Sequence, residues 1–360
     1  MEMLIYLPNI LWPWILKAVF KTTVSFQEMF LQLLAIIFIA SLTYFAALWS
    51  GLMDHEIWNG YVMDKEKVKV SCEHSYSCNC RTECSGSGEH KTCSTVCDTC
   101  YEHSYDWDWR VYSTIGTFEI SRIDKRGSQT PPRWAQVVKG DPVSASRMYT
   151  NYILGAPDSL FNFKNIESDP YALQVPEYPR KVYDYYRVDR VISQGIPVNA
   201  KEWSWQLQDM LSKVGNRKEV NVVILLTSIS DPAFAESVRN GWKGGKKNDV
   251  VVVVGSDNNL SINWASVISW TDSEIFKVKL RDAILDLKTL EPESFIGTVK
   301  GLVMSDFSRK SMADFEYLKK EMKPSKAALL FSFIMCLAAN IGLTIFFHRN
   351  DVNLFETIRR

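Results

Sequence analysis

The sequence predicts an α/β fold in which a sheet flanked by helices is held between two transmembrane helices, with a Cys-rich insertion and a small β-rich region beside it. Three observations carry this prediction. Residues 29–49 and 327–347 are runs of 21 residues without a charge, each about the length that crosses bilayer hydrocarbon. Two near-continuous apolar runs, 220–227 and 250–254, have the pattern of strands covered on both faces. Seven of the eight cysteines fall between Cys72 and Cys100.

Composition narrows the function classes. Lys+Arg and Asp+Glu number 41 each, so no basic excess is present to replace counterions on a nucleic acid. The chain has no His-Glu-x-x-His, Walker loop, Gly-x-Ser-x-Gly or dinucleotide fingerprint, which removes the motifs of the common hydrolase and nucleotide chemistries.

Residues 1–26 read as an interfacial segment. Its apolar stretch is too short and too interrupted by Pro8 and Pro13 to span, while Trp12, Trp14 and Lys17 suit the headgroup region. Residues 29–52 are the first transmembrane helix. A cleaved signal peptide is the alternative, but it carries an apolar core of roughly 7–15 residues followed by small residues, whereas this run is longer and reaches Trp49. The second helix, 327–347, lies between Lys323 and Lys326 on one side and His348 and Arg349 on the other. Two spans place both termini, including the tail 348–360, on one side of the membrane. Lys17 and Lys21 before the first span, with Asp54 and Glu56 after it, favour cytoplasmic termini and an extracytoplasmic central domain. Lys319, Lys320, Lys323 and Lys326 argue the other way, but the first helix usually dominates. Gln32 and Asn340, the main polar residues in the spans, are expected to bond another helix within the bilayer.

Residues 54–124 form the Cys-rich and β-rich region. A polar neck ends in the alternating Lys65-Glu66-Lys67-Val68-Lys69-Val70, the start of a half-exposed strand. Cys72, Cys78, Cys80, Cys84, Cys93, Cys97 and Cys100 follow, with His74, His90 and His103 among or beside them. Outside the cytoplasm, dense cysteines around Ser85-Gly86-Ser87-Gly88 read as disulfides that restrict a segment with little core, and an odd number leaves one thiol over. Zinc is the alternative. Cys97 and Cys100 with His103, plus Cys78, Cys80 and Cys84, have ligand-like spacing, and seven thiolates with one imidazole would fill two tetrahedral sites. A redox role is the third reading. Beyond them, 102–115 and 117–123 alternate aromatic and charged residues as two strands across a turn at Gly116, with Asp106 and Asp108 expected as solvated carboxylates between buried Trp rings.

Residues 125–190 are a connector rich in proline and aromatic residues. Its rings can be ordered only by docking, and its own chain is preferred over a partner as the surface that receives them. From 191 to 308 the pattern is α/β. Asn199 and Glu202 open a helix whose buried face is Trp203, Leu207, Met210, Leu211 and Val214. The strand 220–227 follows, then a helix begun by Asp231 and Pro232, a break at Gly244-Gly245, and the valine strand. A third strand over 260–269 and helices over 273–288 and 292–304 complete the module. A juxtamembrane helix, 309–326, leads to the second span.

Asn221-Val222-Val223-Ile224-Leu225-Leu226, then Gly241-Trp242-Lys243-Gly244-Gly245-Lys246-Lys247-Asn248-Asp249 and the valine strand, resemble the TPM domain family over about a third of the chain. The resemblance implies a sheet with helices on both sides, anchored outside the cytoplasm by a nearby transmembrane helix. Members of that family include proposed acid phosphatases and photosystem repair factors. The chain departs from the family where Val191-Ile192-Ser193-Gln194-Gly195 lacks an acidic residue and where Trp264 to Trp270 replaces a Gly-rich segment with a glutamate. The whole arrangement also resembles uncharacterised membrane proteins of large tailed phages, which bears on localisation alone.

The expected function is a membrane-anchored extracytoplasmic binding or assembly protein with a non-catalytic TPM-like domain, whose partners are the lipid bilayer and a membrane or extracytoplasmic protein. A TPM-like phosphohydrolase is the rival. It would draw on Asp249, Asp257, Lys243, Lys246 and Lys247, since phosphoryl chemistry needs a metal or nucleophile and cationic groups. A metal- or redox-responsive protein acting through the Cys-rich loop is the third. No cofactor is expected, with zinc the one candidate.

Overall fold

The computed structural model describes residues 5–19, 25–85, 92–159 and 169–350. The tail from 351 onward and the stretch 86–91, which contains Gly86, Gly88 and His90, lie outside them. In chain order the elements begin with α1 (Leu7–Val19), α2 (Phe26–Leu52), β1 (Met53–Val70), β2 (Ser75–Ser85), β3 (Thr92–Tyr101), β4 (Asp106–Ser113) and β5 (Gly116–Ile120). Then come α3 (Pro132–Gln136), β6 (Pro142–Thr150), α4 (Tyr152–Gly155), β7 (Val191–Gln194), α5 (Ala200–Lys218), β8 (Asn221–Thr227), α6 (Phe234–Gly241) and β9 (Asp249–Ser256). The last are β10 (Ile262–Ser269), α7 (Glu274–Asp286), α8 (Pro292–Asp306) and α9 (Lys326–Arg349). The chain divides into two compact units: Met1–His55 with Met148–Pro170 and Ser311–Arg360, and Glu56–Arg147 with Tyr171–Lys310.

In the first unit, α2 and α9 are, among the described residues, the two helices long and apolar enough to cross a membrane. Each starts on a serine cap. Ser25 Oγ accepts from Glu28 N while Glu28 Oε2 accepts from Ser25 N, and Ser325 Oγ accepts from Ala328 N. The polar residues of the two helices face each other. Gln32 Nε2 donates to Asn340 Oδ1 at 3.1 Å, and Thr43 shares a hydrogen bond with Ser332. The segment expected in the headgroup region also joins this seam. Tyr6 OH bonds Ser332 Oγ at 2.6 Å, Asn340 Nδ2 donates to Asn9 O at 3.0 Å, and Trp12 Nε1 reaches Thr344 Oγ1 at 3.3 Å. The advance from 332 to 344 as α1 advances makes the two helices parallel. Of the side chains that read as suited to the headgroup region, Trp12 is the one shown bonding to α9. Within the segment 309–326 the helix is of the 3₁₀ type and covers Met312–Glu321.

The second unit holds two four-stranded sheets and the two-stranded β2–β3 ribbon. One sheet has the order β10-β9-β8-β7, with β7, β8 and β9 parallel and β10 antiparallel to β9. Successive residues of a strand point to opposite faces, so the unbroken apolar runs fill two cores. Val222, Ile224, Leu226, Val250, Val252 and Val254 pack under α5, α7 and α8. Val223, Leu225, Val251 and Val253 pack under Phe234, Val238 and Trp242 of and beside α6, with Tyr171, Val175 and Tyr178 added from the connector. That part of the connector therefore docks on its own chain, as expected. The edge strand β7 and the strand β6 inside the connector are additions to the sequence reading.

The other sheet has the order β5-β4-β1-β6. The polar neck is strand throughout, because β1 pairs antiparallel with β4 from Val62 opposite Ser113 to Val70 opposite Asp106. The β4–β5 hairpin turns at Gly116 as expected. Trp109, Val111, Ile115 and Ile120 form its core with Val62, Val137 and Val143. A buried polar network joins this sheet to the amino ends of β8 and β9. Arg190, with no exposed surface, donates through Nε to Asn221 Oδ1 at 2.9 Å and through Nη2 to Asn59 Oδ1 and Ser144 Oγ. Burial pushes the Arg190 guanidinium down to about 10, against the opposing pull of Tyr178, Asp249 and Asp189, so it stays charged near neutrality.

Candidate functional site

Strands β2 and β3 pair antiparallel into a ribbon from Ser75 opposite Tyr101 to Ser85 opposite Thr92. It has no buried residue among those described, so burial does not hold it. Disulfides do. Cys78 joins Cys100, Cys80 joins Cys97 and Cys84 joins Cys93, spanning 22, 17 and 9 positions. The pairs are nested along the ribbon. A register shift between Cys78 and Arg81 accommodates Asn79, whose φ of 48° is one that asparagine tolerates better than most residues. With six thiols in bridges, only Cys72 and His103 remain of the seven thiolates and one imidazole that two zinc sites would need. The odd cysteine is Cys72, which is free and buried, as is Cys336 in α9.

Cys72 lies at the base of the ribbon, where the chain enters β2. His103 and Asp106 lie where it leaves β3 and enters β4. Cys72 Sγ is 3.8 Å from His103 Nδ1, and the same nitrogen is 3.3 Å from Asp106 Oδ1. Asp106 is fully buried and Asp108 nearly so, which overturns the expectation of solvated carboxylates. The reason is Arg122, whose Nη1 donates to Asp106 Oδ2 at 3.2 Å and whose Nη2 reaches Asp108 Oδ1 at 2.5 Å. Burial works to raise the Asp106 carboxyl, but the Glu73 N–H, the Cys72 thiol and the charges of Arg122 and His103 outweigh it and hold it below its ordinary value. Beside the cluster is an open depression of about 470 Å³ lined by Glu73, His74, Asp108, Arg122 and Lys125 among others. The 103/106 spacing was the available signal for Asp106 as a partner of His103. Its approach to Cys72 depends on pairing between β1 and β4.

The two carboxylates proposed for phosphoryl chemistry are not brought together. Asp249 opens β9 and Asp257 follows its end, so about 25 Å of extended chain separates them. Asp249 is fully buried and satisfied: Oδ1 accepts from Asn221 Nδ2, and Oδ2 accepts from Tyr178 OH and Lys246 N, both at 2.7 Å. Burial raises its carboxyl despite those bonds. Asp257 Oδ1 is taken by the backbone N–H groups of Asn259 and Ser261 in a turn. Lys247 Nζ lies 3.7 Å from the buried Glu56, Lys246 Nζ lies over the Tyr178 ring, and Lys243 is exposed.

The motif glycines shape this turn. Gly244 and Gly245 have φ of 76° and 78°, and a Cβ on them would meet the Trp270 ring at 2.9 Å and Asp249 Oδ2 at 3.1 Å. Trp242 is buried and donates Nε1 to Pro176 O at 2.7 Å, while Gly241 ends α6. The segment is a backbone device that delivers Asp249 to the interior. No family model, curated protein or solved structure matches this chain.

Proposed function

We propose that the chain is a membrane-anchored binding or assembly protein that presents the stapled ribbon outside the cytoplasm, with a TPM-like α/β domain that serves as a scaffold and performs no catalysis. The observation that carries this reading is the ribbon itself. Three covalent rungs hold two strands whose described residues are all at least partly exposed, including Tyr76 and Tyr101. Rigid exposed aromatic side chains suit protein contact, because ordering them on binding costs little entropy. Disulfides belong to an oxidising compartment, which supports placing the ribbon outside the cytoplasm and both termini within it.

The phosphohydrolase reading is disfavoured by the burial of Asp249 and its distance from Asp257. The decisive experiment places a photoactivatable crosslinker at Tyr76 or Tyr101 in the cell, with Ile275 on α7 as the reference position. Discrete adducts at the ribbon and none at Ile275 are expected. Turnover of a phosphomonoester by the full chain in detergent, lost in Asp249→Asn, would replace this reading with the rival. Reporter fusions at Gly140 and after Arg360 check the topology, with a periplasm-dependent reporter active only at Gly140.

A further inference from the structure

We infer that Cys72, His103 and Asp106 form a mononuclear site for a divalent d¹⁰ cation, zinc by chemistry, which clamps the base of the ribbon to the β4 end of the sheet. The first ground is convergence on one point. Cys72 Sγ and Asp106 Oδ1 both approach the same imidazole nitrogen, at 3.8 and 3.3 Å, and all three donor atoms lie within 4.8 Å of one another. Tetrahedral zinc with ordinary bond lengths separates a sulfur and a nitrogen ligand by about 3.6 Å, and a nitrogen and an oxygen ligand by about 3.4 Å. The observed spacings are close to these. A nucleophile, base and orienting acid would instead use both ring nitrogens, so the arrangement is not a catalytic triad.

The second ground is independent. Asp106 is fully buried, and its Oδ2 accepts from Glu73 N at 3.1 Å and Arg122 Nη1 at 3.2 Å, whereas its Oδ1 makes no hydrogen bond of full geometry and faces the Cys72 thiol and His103 Nδ1. The oxygen facing the cluster is thus the one without a well-formed bond, and a buried carboxylate oxygen so placed is costly. A cation satisfies it. Glu73 N and Arg122 then orient the carboxylate from behind, as the supporting shell of a metal ligand does. The mixed sulfur, nitrogen and oxygen set selects zinc over calcium or magnesium, which take oxygen ligands. Three protein ligands leave a fourth position for water or a group from a partner. The site also accounts for a buried thiol that survives in a segment where every other cysteine is oxidised: as a metal-bound thiolate it is withheld from exchange.

The test uses the full chain in detergent, purified without reductant on a Cys336→Ala background, stripped with a chelator and titrated with Zn²⁺ and, separately, Co²⁺. One equivalent per chain is expected, with a tetrahedral Co²⁺ spectrum that includes a sulfur-to-cobalt charge-transfer band. Bound metal should also protect Cys72 from alkylation. Arg122→Lys should weaken binding by about 10–100-fold, and His103→Gln and Cys72→Ser by more. Mapping the three disulfides in each variant confirms that the ribbon has formed. Cobalt bound without the sulfur band, binding undiminished in a correctly bridged Cys72→Ser, or no stoichiometric metal in the unsubstituted site would each overturn the assignment.

Discussion

The α/β sheet and the disulfide ribbon belong to one compact unit yet are held by opposite means. Strands β8 and β9 are buried along their whole length and carry apolar side chains into two cores. Strands β2 and β3 bury nothing among their described residues and depend on three covalent links. Burial stabilises the folded state by removing apolar area from water, whereas a bridge acts chiefly by restricting the unfolded chain. The first mechanism hides the surface it uses. The second leaves it available, and so the contact element is sought in the ribbon.

Substitutions can break this contrast at either end. The largest effect is expected from Phe234→Ala, which empties a fully buried site under α6 and should cost about 3–5 kcal/mol in urea unfolding of the full chain, while the ribbon's disulfide map stays intact. Next is the paired Cys80→Ser, Cys97→Ser change. It should remove about 2–4 kcal/mol from the ordering of the ribbon, read as faster hydrogen exchange in β2 and β3 with β8 and β9 unchanged. Equal acceleration in both regions would show that the ribbon supports the sheet. Gly245→Ala forces a side chain into a left-handed position against Asp249 and should cost about 1–2 kcal/mol by the same unfolding assay.

The smallest effect is a slope with pH. The Asp249 carboxyl is raised in the fold above its unfolded value, near 3.9. In the window that opens there, the folded state binds more protons than the unfolded one, so this residue's contribution to stability falls as pH rises and then levels off. Urea midpoints measured between pH 4 and 7 should show that component in the unsubstituted chain and lose it in Asp249→Asn.

What the sequence revealed followed the same division. The valine strand, the capped helix α5 and the two long apolar helices were legible because apolar periodicity and length are local signals. The cysteines announced the staple, although spacing alone left zinc open until the antiparallel register opposed Cys84 to Cys93. Strand β7 escaped because Val191 and Ile192 are followed at once by Ser193 and Gln194, too short a pattern to register. The part of β1 before Lys65 read as a neck because the strand's partner lies some forty positions away. The burial of Asp106 depended on Arg122, and the burial of Asp249 on Tyr178 and Asn221. Neither follows from spacing, because each compensating group arrives from another segment.

The nested order of the bridges has a consequence for the response of the chain to proteolysis. Cys84–Cys93 lies inside Cys80–Cys97, which lies inside Cys78–Cys100. A cut anywhere between Cys84 and Cys93 therefore releases nothing. The two fragments remain linked through all three rungs, each keeps one of the long apolar helices α2 and α9, and the nicked protein runs as one band until it is reduced. A cut between Cys84 and Cys93 is thereby separated from loss of the molecule.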